Sequence, residues 1–167
     1  MEIVLAKSAG FCFGVKRAVN MAFNAAENSE HICSLGPLIH SPQLVQRLEK
    51  KGIRVQDHVD EIDDETVIIR SHGITRNEEQ ALKKKGVPVV DATCPFVKKA
   101  QQYAALLGSE GYSVVIVGEQ EHPEVQGIIS YAAGSETWVV ASPQEARAIP
   151  PHKKLGLVAQ TTQSFDN

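Results

Sequence analysis

Aromatic residues supply only 5% of the sequence, so Val, Ile, Leu and Ala must build its core. Positive charge is not in excess either. The formal net charge of -3 argues against a general binder of nucleic acid or of anionic membrane surfaces. No apolar run approaches the roughly eighteen residues of a membrane span. No charged leader with an apolar signal core precedes the strand-like residues 2–6. A cytoplasmic setting is therefore expected. Cysteine occurs only three times, widely spaced, which makes Cys12, Cys33 and Cys94 poor disulfide candidates and better thiols or metal ligands. A length of 167 residues suffices for one large domain or two small ones.

What the sequence does contain is an internal repeat. Cys12-Phe13-Gly14-Val15-Lys16-Arg17-Ala18 aligns with Cys94-Pro95-Phe96-Val97-Lys98-Lys99-Ala100, a shared C-x-x-V-K-[RK]-A at an offset of 82. The same offset carries Gly36 onto Gly118, His40 onto His122 and Gly52 onto Gly134. The register then slips, and residues 67–72 align with residues 157–162 at an offset of 90. Two copies of one unit follow, with boundaries at 1–93 and 94–167.

Each copy alternates strand and helix. In the first, strands are expected at 2–6, 32–35 and 66–70, and helices at 15–27, from Pro42 to just before Gly52, and at 75–85. The second is expected to run strand 88–91, helix 96–108, strand 112–117, helix 123–132, strand 137–141, a short Ser142-capped helix and strand 155–159. Continuous Val/Ile runs imply strands covered on both faces, hence mostly parallel sheets flanked by helices. The fold class is α/β, built as two pseudo-symmetric repeats.

Open α/β sheets collect ligands at the carboxyl ends of their strands, and the repeated polar residues fall there. Cys12 and Cys94 each sit between an expected strand and a helix, where free backbone N–H groups and the helix dipole favour a thiolate. Duplicated thiolates suit a shared soft-metal centre, with zinc as the competing metal. The basic residues Lys16, Arg17, Lys98 and Lys99 read either as local positive potential or as a solvated helix face. His40, His72 and His122 occupy strand ends and suit an anionic ligand such as a diphosphate. His31, His58 and His152 lie in polar stretches and read as surface residues. Glu124, at a helix start beside His122, is either a general acid or a first-turn acidic residue favoured by the dipole. Cys33 lies inside a strand, has no counterpart in the second copy, and reads as core.

The segments Ala9-Gly10-Phe11-Cys12-Phe13-Gly14-Val15, Leu35-Gly36-Pro37-Leu38-Ile39-His40, Ile69-Arg70-Ser71-His72-Gly73, Asp91-Ala92-Thr93-Cys94-Pro95, His122-Pro123-Glu124-Val125 and Gln160-Thr161-Thr162 carry a family resemblance. In that order, across nearly the whole chain, they resemble the N-terminal part of the 4-hydroxy-3-methylbut-2-enyl diphosphate reductases. The resemblance implies three pseudo-symmetric α/β domains around a [4Fe–4S] cluster, one cysteine from each, with one iron open to substrate. It implies a reductive dehydroxylation yielding isopentenyl and dimethylallyl diphosphate in the non-mevalonate isoprenoid pathway, fed by a ferredoxin or flavodoxin-type donor. Carried over by position, Cys12 and Cys94 ligate iron, and His40, His72 and His122 contact the allylic diphosphate. Glu124 delivers a proton, and Thr161 hydrogen-bonds near the substrate hydroxyl.

The sequence departs from the family at its end. Extending the repeat puts a third cysteine at about positions 176–184, past Asn167, so the third domain and its Ser-x-Asn segment are absent. Ser41 stands where the family more often has Asn. The expectation is a truncated, poorly active reductase. The alternatives are a non-catalytic diphosphate-binding fragment without a stable cluster and, more distantly, a mononuclear zinc hydrolase.

Overall fold

The computed structural model describes residues 2–7, 9–132 and 134–164. Two separate parallel sheets make up the framework. The first contains β1 (Ile32–Leu35), β2 (Ile53–Gln56), β3 (Thr66–Ile69) and β4 (Val89–Asp91) in the order β2-β1-β3-β4. The second contains β5 (Ser113–Val117), β6 (Thr137–Val140) and β7 (Leu155–Ala159) in the order β6-β5-β7. Every pairing is parallel. The helices are α1 (Phe13–Asn28), α2 (Pro42–Glu49), α3 (Arg76–Lys85), α4 (Pro95–Ser109), α5 (Pro123–Tyr131) and α6 (Pro143–Ala146). The α/β class holds, and no described helix is long and apolar enough to cross a membrane.

Strand alternation explains why the first sheet reads as a continuous apolar run. Ile32, Ile53 and Ile68 meet Ala18 and Ala22 of α1 and Leu44 and Leu48 of α2. Cys33, Leu35, Val67 and Ile69 form a second cluster with Val59, Ile62 and Leu82 of α3. Both faces are buried, as parallel sheets require. Cys33 is fully buried there, and burial pushes its thiol pKa up, so it is core. The second sheet differs. Val114, Ile116 and Val158 pack with Ala100, Ala104, Val125 and Ile128. Along β7, however, burial alternates, leaving Leu155 and Leu157 exposed.

Three expectations need correction. Residues 2–6 are not a strand, and Ile3, Val4 and Leu5 are more than 80% exposed. A strand needs a hydrogen-bonding neighbour, and none of the described strands pairs with this segment. The strand before Cys94 does exist, but β4 pairs with β3 and completes the first sheet rather than opening the second. Finally, β2 was not anticipated. Its burial falls from Ile53 to an exposed Arg54 and half-buried Val55 and Gln56, so its four residues form an edge strand with a weak apolar pattern.

Turn residues place the strand ends. Gly36 closes β1 in the left-handed region, φ 70°, and its N–H donates to Gln56 O at 2.7 Å. A Cβ there would collide with the Arg70 guanidinium. Gly118 closes β5 with the equivalent hydrogen bond but without a positive φ, its N–H donating to Val140 O at 2.9 Å, with Gln160 filling the space a Cβ would need. Arg70 and Gln160 are the residues paired by the 90-residue offset. The helix starts slip by one position instead: Ser41 caps α2, whereas His122 itself caps α5.

Candidate functional site

Three loops leaving the carboxyl ends of strands bring three imidazoles together. The ring centroids of His40 and His72 lie 4.4 Å apart, those of His72 and His122 5.4 Å, and those of His40 and His122 5.8 Å. One ring nitrogen of each lies within 4.8 Å of the others, so a single small ion or anionic group can touch all three. His40 is exposed; His72 and His122 are half-buried. By contrast His31 and His58 are exposed and separate from this group, while His152 is half-buried and pairs with Glu136 at 2.9 Å.

Two of these loops are tied to each other and to the Cys94 turn by hydrogen bonds. The Ser71 N–H and hydroxyl both donate to Leu38 O, at 3.2 and 3.1 Å. The Cys94 N–H in turn donates to Ser71 O at 2.9 Å. Leu38 lies two residues before His40, and Ser71 lies next to His72. The His40 and His72 loops and the Cys94 turn therefore form one hydrogen-bonded series.

Each imidazole has its own setting. Burial, with the neighbouring His40, His122 and Arg70 charges adding to it, lowers the His72 pKa to about 4. That ring is neutral near pH 7, and its Nδ1 is buried without a hydrogen-bond partner. His122 is fixed differently. Its Nδ1 accepts the Glu124 backbone N–H at 3.1 Å, as the cap of α5. A ring nitrogen that accepts carries no proton, so the proton of the neutral ring sits on Nε2.

Glu124 lies in the first turn of α5 but is 1% exposed, which a solvated first-turn acid would not be. The Thr161 N–H donates to its Oε1 at 2.7 Å and the Thr161 hydroxyl donates to its Oε2 at 3.0 Å. Burial raises its pKa, against the lowering effect of the two Thr161 hydrogen bonds and the His122 charge. Thr161 itself is exposed and also lines an open apolar cavity of about 570 Å³ with Phe96, Tyr103 and Leu157.

Cys12 is exposed and caps α1; Cys94 is half-exposed and caps α4. Neither thiol is spent on a side-chain cap hydrogen bond. They belong to one neighbourhood. A methyl group on Gly14, two residues past Cys12, would lie 2.6 Å from Cys94 Sγ, so the first turn of α1 rests against the second thiol. Two unspent soft donors at adjoining helix starts fit a metal centre, and Cys33 in the core does not contribute. Nothing in the sequence alone marks Arg70 as a neighbour of His72; nor does it single out Ser71 as the junction of the loops, because that role depends on contacts between loops far apart in the chain.

Residues 3–167 match the family model described as LytB protein. The chain is 65% identical over its full length to the 4-hydroxy-3-methylbut-2-enyl diphosphate reductase of Syntrophotalea carbinolica, and 59% identical to that of Geobacter metallireducens. It spans about 60% of the length of these curated relatives. A solved (E)-4-hydroxy-3-methyl-but-2-enyl diphosphate reductase, described as the terminal enzyme of the non-mevalonate pathway, superposes with a TM-score of 0.84 at 45% identity. That match covers 98% of this chain and 59% of the other. The Plasmodium falciparum E-1-hydroxy-2-methyl-but-2-enyl-4-diphosphate reductase gives 0.90 at 29% identity, covering 96% of this chain and 51% of its own.

Proposed function

This chain belongs to the LytB family, and from that membership we propose that it supplies two α/β units, residues 1–93 and 94–167, of a cytoplasmic 4-hydroxy-3-methylbut-2-enyl diphosphate reductase. The reaction removes the allylic hydroxyl as water with two electrons and two protons, giving isopentenyl and dimethylallyl diphosphate. The observation that carries the reading is the convergence of His40, His72 and His122 on one point, with the Cys94 turn hydrogen-bonded to Ser71 next to His72 and Gly14, two residues past Cys12, packed against Cys94 Sγ. The His122 tautomer supports an anion over zinc there. Its Nε2–H is a donor, as a phosphate oxygen needs, whereas a metal ligand must offer a lone pair.

In this reading Cys12 and Cys94 are two of three thiolates holding a [4Fe–4S] cluster, the third coming from a further unit. When bound, the cluster supplies electrons and Lewis acidity to the substrate. A ferredoxin or flavodoxin-type protein feeds it. The histidines receive the diphosphate. Glu124 holds the proton that leaves with the hydroxyl, its burial making the protonated form accessible. Thr161, on both Glu124 oxygens, aims the carboxyl and offers its own hydroxyl near the same point.

A second reading rests on the two thiols. If no third thiolate joins Cys12 and Cys94, these two units bind a diphosphate without a stable cluster. Titration with inorganic pyrophosphate, followed by anaerobic reconstitution with iron and sulfide under EPR, separates the two. Pyrophosphate binding lost in His40→Ala and His72→Ala supports both readings, and a cluster signal supports only the first. Absence of both pyrophosphate binding and cluster formation would overturn the assignment.

A further inference from the structure

The turn that presents Cys94 is built from both units. Within it, the Thr93 N–H donates to Asp91 Oδ1 at 3.0 Å, and the other Asp91 oxygen pairs with Lys98. Its N–H groups are satisfied by the first unit: Ala92 N–H on Ile69 O at 3.1 Å, and Cys94 N–H on Ser71 O at 2.9 Å. Its carbonyls are satisfied by one side chain from α1. Arg17 donates from one guanidinium nitrogen to Thr93 O at 3.0 Å and from the other to Asp91 O at 3.4 Å. Arg17 lies in the same helix that Cys12 caps.

From this geometry we propose that Arg17 is a positioning residue: its planar fork fixes the Cys94 turn against the helix that begins at Cys12, and so sets one thiol relative to the other. The proposal rests on the reading that both cysteines hold one cluster. Thr93 is 6% exposed, so removing the fork would leave a carbonyl without a partner in a place that water reaches poorly. A guanidinium suits the task because two donors held in one plane meet two carbonyls at once, which a single ammonium does less well. Rigid support of a metal's ligands is what keeps a site loaded.

The repeat provides an internal control. Lys99 holds Arg17's place in the second copy, but its ammonium lies over the Tyr103 ring, 5.6 Å from the centroid, and the residue is exposed. Among the described residues the clamp is formed only by Arg17.

The test compares Arg17→Gln, Arg17→Lys and Lys99→Gln in this chain. Without metal, hydrogen exchange at the Thr93 and Cys94 amides should quicken about tenfold in Arg17→Gln and less in Arg17→Lys. Exchange in the middle of α1 and the melting temperature should change little, and Lys99→Gln should match the parent. With the third cysteine-bearing unit joined and after anaerobic reconstitution, Arg17→Gln should lose iron to a chelator several-fold faster than the parent. Unchanged exchange at Thr93 and Cys94 in Arg17→Gln overturns the proposal. Faster exchange throughout the chain also overturns it, because Arg17 would then be a general stability residue. With the third cysteine-bearing unit joined, a parent that takes up no iron would overturn the cluster reading alone, since the metal-free exchange result decides independently whether Arg17 holds the turn.

Discussion

Thr161 holds Glu124 from two directions, its N–H on one carboxyl oxygen at 2.7 Å and its hydroxyl on the other at 3.0 Å. Both donors favour the carboxylate while burial favours the acid, and burial prevails. The side chain therefore keeps its proton to higher pH than an ordinary glutamate. Its position on α5 alone, behind the cap formed by His122, would not have produced that balance.

Replacing Glu124 by Gln preserves size and hydrogen bonding but removes the transferable proton. With the third cysteine-bearing unit joined to this chain, single-turnover rates for Glu124→Gln should fall by roughly 100- to 10,000-fold. Pyrophosphate affinity should change far less. Equal iron content in parent and variant is needed for the comparison. A rate near the parent's would return Glu124 to a purely structural role at the start of α5.

Glu124 also makes a prediction about stability. A carboxyl whose folded pKa is raised stabilises the fold fully only below its unfolded pKa, and that contribution is lost as pH rises through the folded value. Glu124→Gln should therefore melt at or above the parent temperature at pH 7, with the difference shrinking as pH falls towards 4. Thermal melts across that range read it directly. A Gln variant that is less stable at pH 7 and not at pH 4 would contradict the sign.

His72 works in the opposite sense. Its pKa of about 4 lies below the ordinary 6.5, so the folded protein holds fewer protons than the unfolded chain between those values. Stability should fall as pH drops through this window, and His72→Gln should flatten the fall. NMR titration should place the midpoint near 4 without ligand and move it upward with pyrophosphate, whose negative charge favours the imidazolium.

Much of this site could be read from the sequence because topology did the placing. Once β1 and β3 are recognised as parallel neighbours, the residues just past their ends share one edge, and His40 and His72 follow; His122, at the equivalent strand end of the separate second sheet, was legible as their counterpart through the repeat. The helix starts likewise located Cys12 and Cys94. What was not legible depends on partners distant in sequence. Residues 2–6 have the apolar pattern of a strand, but pattern cannot supply a neighbour. The strand before Cys94 joined the sheet of the preceding copy, which no local signal distinguishes from its own. Arg17 looked like one of several basic residues on a helix face until its carbonyl partners, more than seventy positions away, were in view.

The last prediction concerns the contact between the two thiol-bearing helices. Gly14 has no side chain, and a Cβ there would stand 2.6 Å from Cys94 Sγ and 3.2 Å from Cys94 Cβ. Real Cβ atoms do not approach that closely, so Gly14→Ala must move α1, the Cys94 turn, or both. Ala is the better helix former, which by itself would stabilise α1 by about 1 kcal/mol. Overpacking costs about 1–3 kcal/mol, so the net change in stability should be small or modestly unfavourable. If Cys94 Sγ is a ligand, as proposed, metal binding should suffer more, because ligand geometry tolerates only fractions of an ångström. Gly14→Ala should keep its circular dichroism and lose most of the iron that the parent retains after anaerobic reconstitution. Iron retention equal to the parent's would mean that Cys94 does not hold the metal, or that the turn can move without consequence. Alkylation of Cys94 before reconstitution distinguishes these, since blocking a true ligand abolishes loading and blocking a bystander does not.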